Sequence, residues 1–195
     1  SVYGFGARLK RFTAPTRDIG KLKAALEGMY NYTHAGSKIY EAIVQTARDA
    51  TTSPGNPTRL MIVFSDGQST TKTKPELAAN VSAALGLQLY PVVLGHERVI
   101  QQSRAGQQQP NPRMGTSPGW ATEPGRNPAQ DERKARAYDQ ELRMQEFAAI
   151  GPMTGGRSFD PPQVNSLIIR SIFQSLVEQV QAEYVAGYSP AAQGE

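Results

Sequence analysis

RLMIVFSDGQSTT, residues 59–71, decides the fold. Leu60 to Phe64 is an unbroken apolar run of strand length, and it stops at Ser65-Asp66-Gly67. Three hydroxyl residues, Ser69, Thr70 and Thr71, follow. A continuous apolar run suits a strand of a parallel sheet covered on both faces, where alternation of polar and apolar residues has no use. Ligands of open parallel sheets gather at the carboxyl ends of the strands. Asp66 is therefore expected at the tip of a central strand, on the edge where a ligand binds. An Asp-Gly pair is by itself also an ordinary turn. The apolar run before it and the hydroxyls after it favour a built site.

Working outward, Pro75 suits the first turn of a helix, with Leu77, Val81 and Leu85 facing inward and Gly86 closing it. LQLYPVVLG (87–95) is a second buried strand, although Pro91 argues for an edge position or a bulge. Upstream, AGSKIYEAIVQTARDA (35–50) predicts a helix with Ile39, Ile43 and Ala47 on one stripe and Ser37 at its start, where it also suits an N-cap. APTRDIGKLKAALEGMY (14–30) predicts another, capped by Asp18, with Ile19, Leu22, Leu26 and Met29 on one face. SVYGFGARLKRFT (1–13) reads as two short strand pieces. Its Gly4 and Gly6 share two positions of a dinucleotide fingerprint but lack the third, and no helix opens there.

Downstream the composition shifts. Between Gln101 and Gln130 there is no Val, Ile, Leu, Phe or Tyr, and Met114 and Trp120 are the large apolar groups. Residues 97–130 are expected to be a polar, disordered insertion. A charged helix follows to Ile150, apolar at Tyr138, Leu142 and Phe147. TGGRSFDP (154–161) is expected to turn and form a short strand. PPQVNSLIIRSIFQSLVEQVQ (161–181) predicts the strongest helix, with Val164, Leu167, Ile168, Ile172, Leu176 and Val180 as its stripe. AEYVAGYSP (182–190) is expected to be a final strand. Strands alternating with helices over short links imply an α/β fold, a doubly wound, mostly parallel sheet flanked by helices in a Rossmann-like topology.

Composition narrows the function classes. The chain has 195 residues, enough for one domain with a real core, and a net charge of +4 from 21 Lys and Arg against 17 Asp and Glu. The basic residues are scattered, so nucleic acid is not an expected partner. There is no cysteine and there are two histidines, His34 and His96, not at ligand spacing. A zinc site is not expected, nor is a Ser-His-Asp hydrolase, since no Gly-x-Ser-x-Gly elbow exists. No membrane span and no signal peptide are expected. The chain opens at Ser1 directly in strand-like sequence and is expected to be part of something longer.

Taken together, AGSKIYEAI, RLMIVFSDG, MTGGRSFDP and EYVAGYSP resemble the von Willebrand factor type A domain family in order and spacing. The last two look most like a bacterial branch found in acidobacteria. The resemblance spans nearly the whole chain except the insertion, 1–195 as one domain. It implies a metal-ion-dependent adhesion site holding Mg²⁺, or Mn²⁺ or Ca²⁺, at the top of the sheet. Family ligands come from an Asp-x-Ser-x-Ser segment after the first strand, a Thr or Ser in a second loop and an Asp in a third. Carried over, Ser37 matches the second-loop hydroxyl and Asp66 the third-loop carboxylate. An acidic side chain of a partner protein would complete the metal shell, giving a non-enzymatic adhesion or assembly module of a secreted, cell-surface or periplasmic bacterial protein.

Two departures accompany the resemblance. The Asp-x-Ser-x-Ser segment is absent; DATTS (49–53) is the nearest string, but it lies at a helix end. The family's first strand and first helix are missing as well, and that strand is the middle of the family's sheet. It could precede Ser1, come from another chain, or have been lost in a rearranged branch; the first is preferred. The alternatives for function are a metal-free scaffold and a small-ligand-binding or hydrolytic α/β enzyme.

Overall fold

A computed structural model describes residues 1–30, 32, 36–52, 59–95 and 128–182. His34, His96, Trp120, residues 97–127 of the expected insertion and the expected final strand beyond Ala182 lie outside the described residues. The fold is mixed α/β. In order the elements are β1 (Val2–Phe5), β2 (Leu9–Thr13), α1 (Ile19–Tyr30), α2 (Ile39–Thr51), β3 (Arg59–Ser65), α3 (Pro75–Ala84), β4 (Leu87–Val93), α4 (Pro128–Met153) and α5 (Ser166–Ala182). Residues Ser1–Pro162 form one compact unit and Gln163–Glu195 a second. No described helix is long and apolar enough to cross a membrane.

The strands form two separate pairs among the described residues. β1 and β2 are an antiparallel hairpin, with Phe5 opposite Leu9. GFGARL is thus the turn of a hairpin, not the strand-to-helix turn of a dinucleotide site. β3 and β4 are parallel, with Val63 beside Pro91 and Ser65 beside Val93. A parallel pair is present, but one continuous doubly wound sheet is not formed by these four strands. The exposure of the parallel pair is asymmetric. β4 is buried at every residue but Gln88, whereas β3, equally apolar, leaves Leu60 37% exposed and Met61, Ile62 and Phe64 half-buried. Among the described residues β3 is paired only on its β4 side.

Pro91 is not at a free edge. The far side of β4 meets a short parallel bridge, Val92 to Phe159, where Phe159 N–H donates to Pro91 O at 2.8 Å. In a parallel strand a residue's N–H and C=O point the same way. The donor that proline lacks therefore faces this short bridge and not β3, so no β3–β4 bond is lost.

The core of the first unit joins Ile39, Ile43 and Ala47 of α2 to Val63 of β3, Leu89 and Val93 of β4, and Met144, Phe147 and Ile150 of α4. The α2 stripe is as expected. Three other helices differ from expectation. Asp18 does cap α1, with Lys21 N–H donating to its Oδ1 at 3.2 Å, but Ile19 and Leu26 are exposed and only Ala25 is buried. That helix packs on the two-stranded hairpin, too narrow a surface to cover its whole apolar face. In α3 the buried residues are Ala78, Ala79 and Ser82, while Leu77 is exposed. Small side chains let α3 approach both α2 and α4 closely. In α4, Phe147 is buried with Met144 and Ile150, whereas Tyr138 and Leu142 are exposed, because only the C-terminal turns reach the core.

In the second unit, α5 starts at Ser166, later than expected. The N–H groups of Leu167 and Ile168 both donate to Asn165 Oδ1 at 3.0 Å, an N-cap that sets the start of the helix. Ile172 and Leu176 are buried; Val164 and Leu167 are exposed.

Candidate functional site

The site begins with the way β3 ends. Gly67 N–H donates to Ser65 Oγ at 3.2 Å, and Gln68 N–H donates to Asp66 Oδ1 at 3.1 Å. The second bond is an Asx turn, in which a side chain takes over from the backbone. Gly67 has φ +74°, and a Cβ there would meet the Arg143 carbonyl oxygen of α4 at 2.5 Å. The loop after β4 closes over the same place: Leu94 N–H donates to Ser65 O at 2.8 Å, and a Cβ on Gly95 would lie 3.7 Å from Asp66 Cβ. Asp66 thus stands at the carboxyl end of the parallel pair, between the loops that follow β3 and β4.

Ser37 is brought to this loop by Thr70. Ser37 N–H donates to Thr70 Oγ1 at 3.0 Å, the same hydroxyl donates to Ser37 O at 3.1 Å, and Thr70 N–H donates to Ser37 O at 2.8 Å. Ser37 is not the N-cap of α2, which corrects that expectation. Lys38 occupies the cap position without a side-chain bond, as a lysine has no acceptor to offer. Among the described residues the Ser37 hydroxyl has no hydrogen-bond partner.

Ser69, Thr70 and Thr71 are not caps of α3 either. Its cap position is Lys74, followed by Pro75 at the first helical position. The hydroxyls instead tie the loop to α2. Thr71 Oγ1 donates to Glu41 Oε2 at 2.8 Å, and Thr73 Oγ1 donates to Glu41 Oε1 at 2.7 Å. Partial burial pushes the Glu41 carboxyl up, but these two hydroxyls, its own backbone N–H and the Lys38 charge together hold it below the usual value of 4.5. A folded-state value below the unfolded one stabilises at neutral pH, and the gain is lost as pH falls from about 4.5 through the lowered value. The expected result is a steeper loss of stability below pH 4.5 in the wild type than in Glu41→Gln, read by unfolding at a series of pH values; parallel curves would remove Glu41 from the account. Sequence reasoning missed Glu41. The signal was the Thr-x-Thr spacing, which puts the 71 and 73 side chains on one side of an extended loop.

The oxygen groups these two loops offer are the Ser37 hydroxyl, unpartnered among the described residues, and the Asp66 carboxylate, one oxygen of which is in a turn. Both are hard oxygen donors, which suit Mg²⁺ and not zinc. Mg²⁺ takes about six oxygens, so Ser37 and Asp66 account for part of a shell. Among the described residues no three His, Cys, Asp or Glu side chains come together as a metal cluster. Asp49, first of the DATTS string, belongs to the last turns of α2, where its Oδ2 accepts the Tyr3 hydroxyl at 3.4 Å and its carbonyl accepts Thr52 Oγ1 at 2.7 Å. It is a helix-end residue, as its position in the sequence implied.

The fold is a recognisable α/β class with loops converging at the carboxyl end of a parallel pair. It is similar to the crystal structure of the conserved hypothetical protein BatB from Bacteroides thetaiotaomicron, with a TM-score of 0.54 and 20% identity over 92% of this chain and 78% of that one. At that identity the likeness is one of fold. No protein-family model matches the chain, and no curated protein matches it by sequence.

Proposed function

We propose that this chain is a von Willebrand factor A-like, protein-binding domain whose carboxyl edge holds a divalent cation through Ser37 and Asp66. The observation that carries the reading is the Thr70 clasp. It draws the Ser37 loop onto the loop that begins at Asp66, while leaving the Ser37 hydroxyl without a partner among the described residues. Mg²⁺ would supply an electrophilic centre for an acidic side chain of another protein. The chain's own residues orient the two donors: the Asx turn fixes Asp66 and the clasp fixes Ser37. The setting we infer is an adhesion or assembly module on the outside of a bacterial cell.

The doubly wound sheet belongs to the same proposal. β3 is as apolar as β4 but half exposed, and its second edge is unpaired among the described residues. An unpaired edge strand exposes a row of N–H and C=O groups that another strand can satisfy. A further strand on that edge, from a preceding segment or another chain, would join the parallel pair to a larger sheet. It would also bring the loop that supplies the remaining oxygen ligands.

Calorimetric titration with Mg²⁺ tests the cation reading. Saturable heat is expected with the wild type and none with Asp66→Ala. Absence of heat from folded wild-type protein would replace this reading with a metal-free scaffold.

A further inference from the structure

A groove of about 440 Å³ opens beside Asp66, between the start of α2, the loop leading into α3, and α4. Tyr40 forms part of its wall. This residue is 4% exposed, yet its hydroxyl has no hydrogen-bond partner among the described residues. Unlike Ser82 Oγ, which is fully enclosed, the Tyr40 oxygen keeps some exposure, and Tyr40 lines the groove. A hydroxyl on a buried ring that has no protein partner and opens into a groove leaves a ligand atom a place to hydrogen-bond.

The charges around it indicate the sign of that ligand. Five charged side chains line the groove: Lys74, Glu76, Asp139, Arg143 and Glu146. Arg143 Nε is bonded to Asp139 Oδ2 at 2.9 Å, so this pair largely cancels. Lys74, Glu76 and Glu146 are all exposed at the rim, two carboxylates against one ammonium. Glu76 and Glu146 have no ion-pair or hydrogen-bond partner among the described residues. Burial first, then the Glu146 and Glu76 charges, push the Tyr40 hydroxyl up to about 12, against the opposing pull of Arg143. The hydroxyl therefore stays neutral, with lone pairs to offer, in a field dominated by carboxylates.

The geometry points to a receptor for a basic side chain of a partner protein: a guanidinium or ammonium group accepted by the Tyr40 hydroxyl and neutralised by Glu76 and Glu146. No Asp66 oxygen takes part, so this inference stands or falls apart from the cation reading. It goes beyond that reading by giving the partner a second charge, of opposite sign to the one a metal would take.

Arginine amide is the probe, with citrulline amide as its uncharged isostere and inorganic phosphate as the opposite charge. Shifts in the NMR spectrum of the full chain report the site. Saturable shifts at Tyr40, Thr71, Glu76 and Glu146 are expected with arginine amide, with affinity falling about tenfold in Tyr40→Phe, since a hydrogen bond to a charged group is lost. Glu146→Gln, an exposed change that cannot disturb folding through the core, is expected to weaken it as well. An equal response to citrulline amide, a preference for phosphate, no saturation, or Glu146→Gln binding like the wild type would each overturn the inference.

Discussion

Gly67→Ala is expected to lower the unfolding midpoint by about 6–12 °C, the equivalent of about 3 kcal/mol in a domain of this size. Two effects combine. The left-handed φ of +74° costs an L-residue about 1–2 kcal/mol. The new methyl group would also meet the Arg143 carbonyl oxygen at 2.5 Å and Met144 Cα at 3.1 Å. Those are backbone atoms of α4, held in place by the burial of Met144 and Phe147, and overpacking of this kind costs about 1–3 kcal/mol. Gly86→Ala separates the two effects. Its φ is +66° and a Cβ there would meet nothing within 4 Å, so it carries the strain alone. The expected loss at Gly86 is about 1 kcal/mol. Equal losses at the two positions in thermal unfolding would mean that α4 does not press on the tip of β3.

Gly156→Ala is the second large effect, and it needs no unusual backbone angle. A Cβ at Gly156 would overlap the Leu89 carbonyl oxygen of β4. The neighbouring Thr154 fixes the same point from its other side. Its Oγ1 accepts the Leu89 N–H at 2.8 Å and donates to Gly151 O at 2.9 Å. The chain after α4 is therefore laid directly against the centre of β4, and neither backbone has room to retreat. A loss of about 3 kcal/mol is expected in urea unfolding. A change within about 0.5 kcal/mol, the range of ordinary surface substitutions, would show that this segment is not held against the strand.

These glycines show what the sequence makes legible. An unbroken apolar run ending in Ser-Asp-Gly identifies a parallel strand and places Asp66 at its tip, because the apolar run and the sharp turn each leave a compositional mark, although β3 itself is half exposed. TGG reads as a turn, but its role against Leu89 depends on a contact 67 positions away in the chain, which no local pattern records. The same holds for Ser37. Its place at the start of a helix suggests a cap, yet Thr70, 33 residues on, bonds to its backbone, and its hydroxyl has no partner among the described residues. Apolar stripes were legible where the partner surface is broad, as in α2. They misled in α1 and α3, where the neighbouring surface is narrow or demands small side chains. Tyr40 lies outside the stripe the sequence shows for α2, yet it is buried. Only the packing of three elements around it reveals that its oxygen opens into a charged groove.

The Thr70 clasp and the Asx turn hold the Ser37 and Asp66 loops at the carboxyl end of the parallel pair, where the proposed cation would bind. The most direct measurement is the paramagnetic broadening of backbone NMR signals by Mn²⁺ in the labelled chain. Saturable broadening of the 36–38 and 65–68 amides, abolished in Asp66→Ala, is the predicted result. Broadening spread over exposed carboxylates such as Glu132 and Asp139, and unchanged in a folded Asp66→Ala protein, would contradict the account.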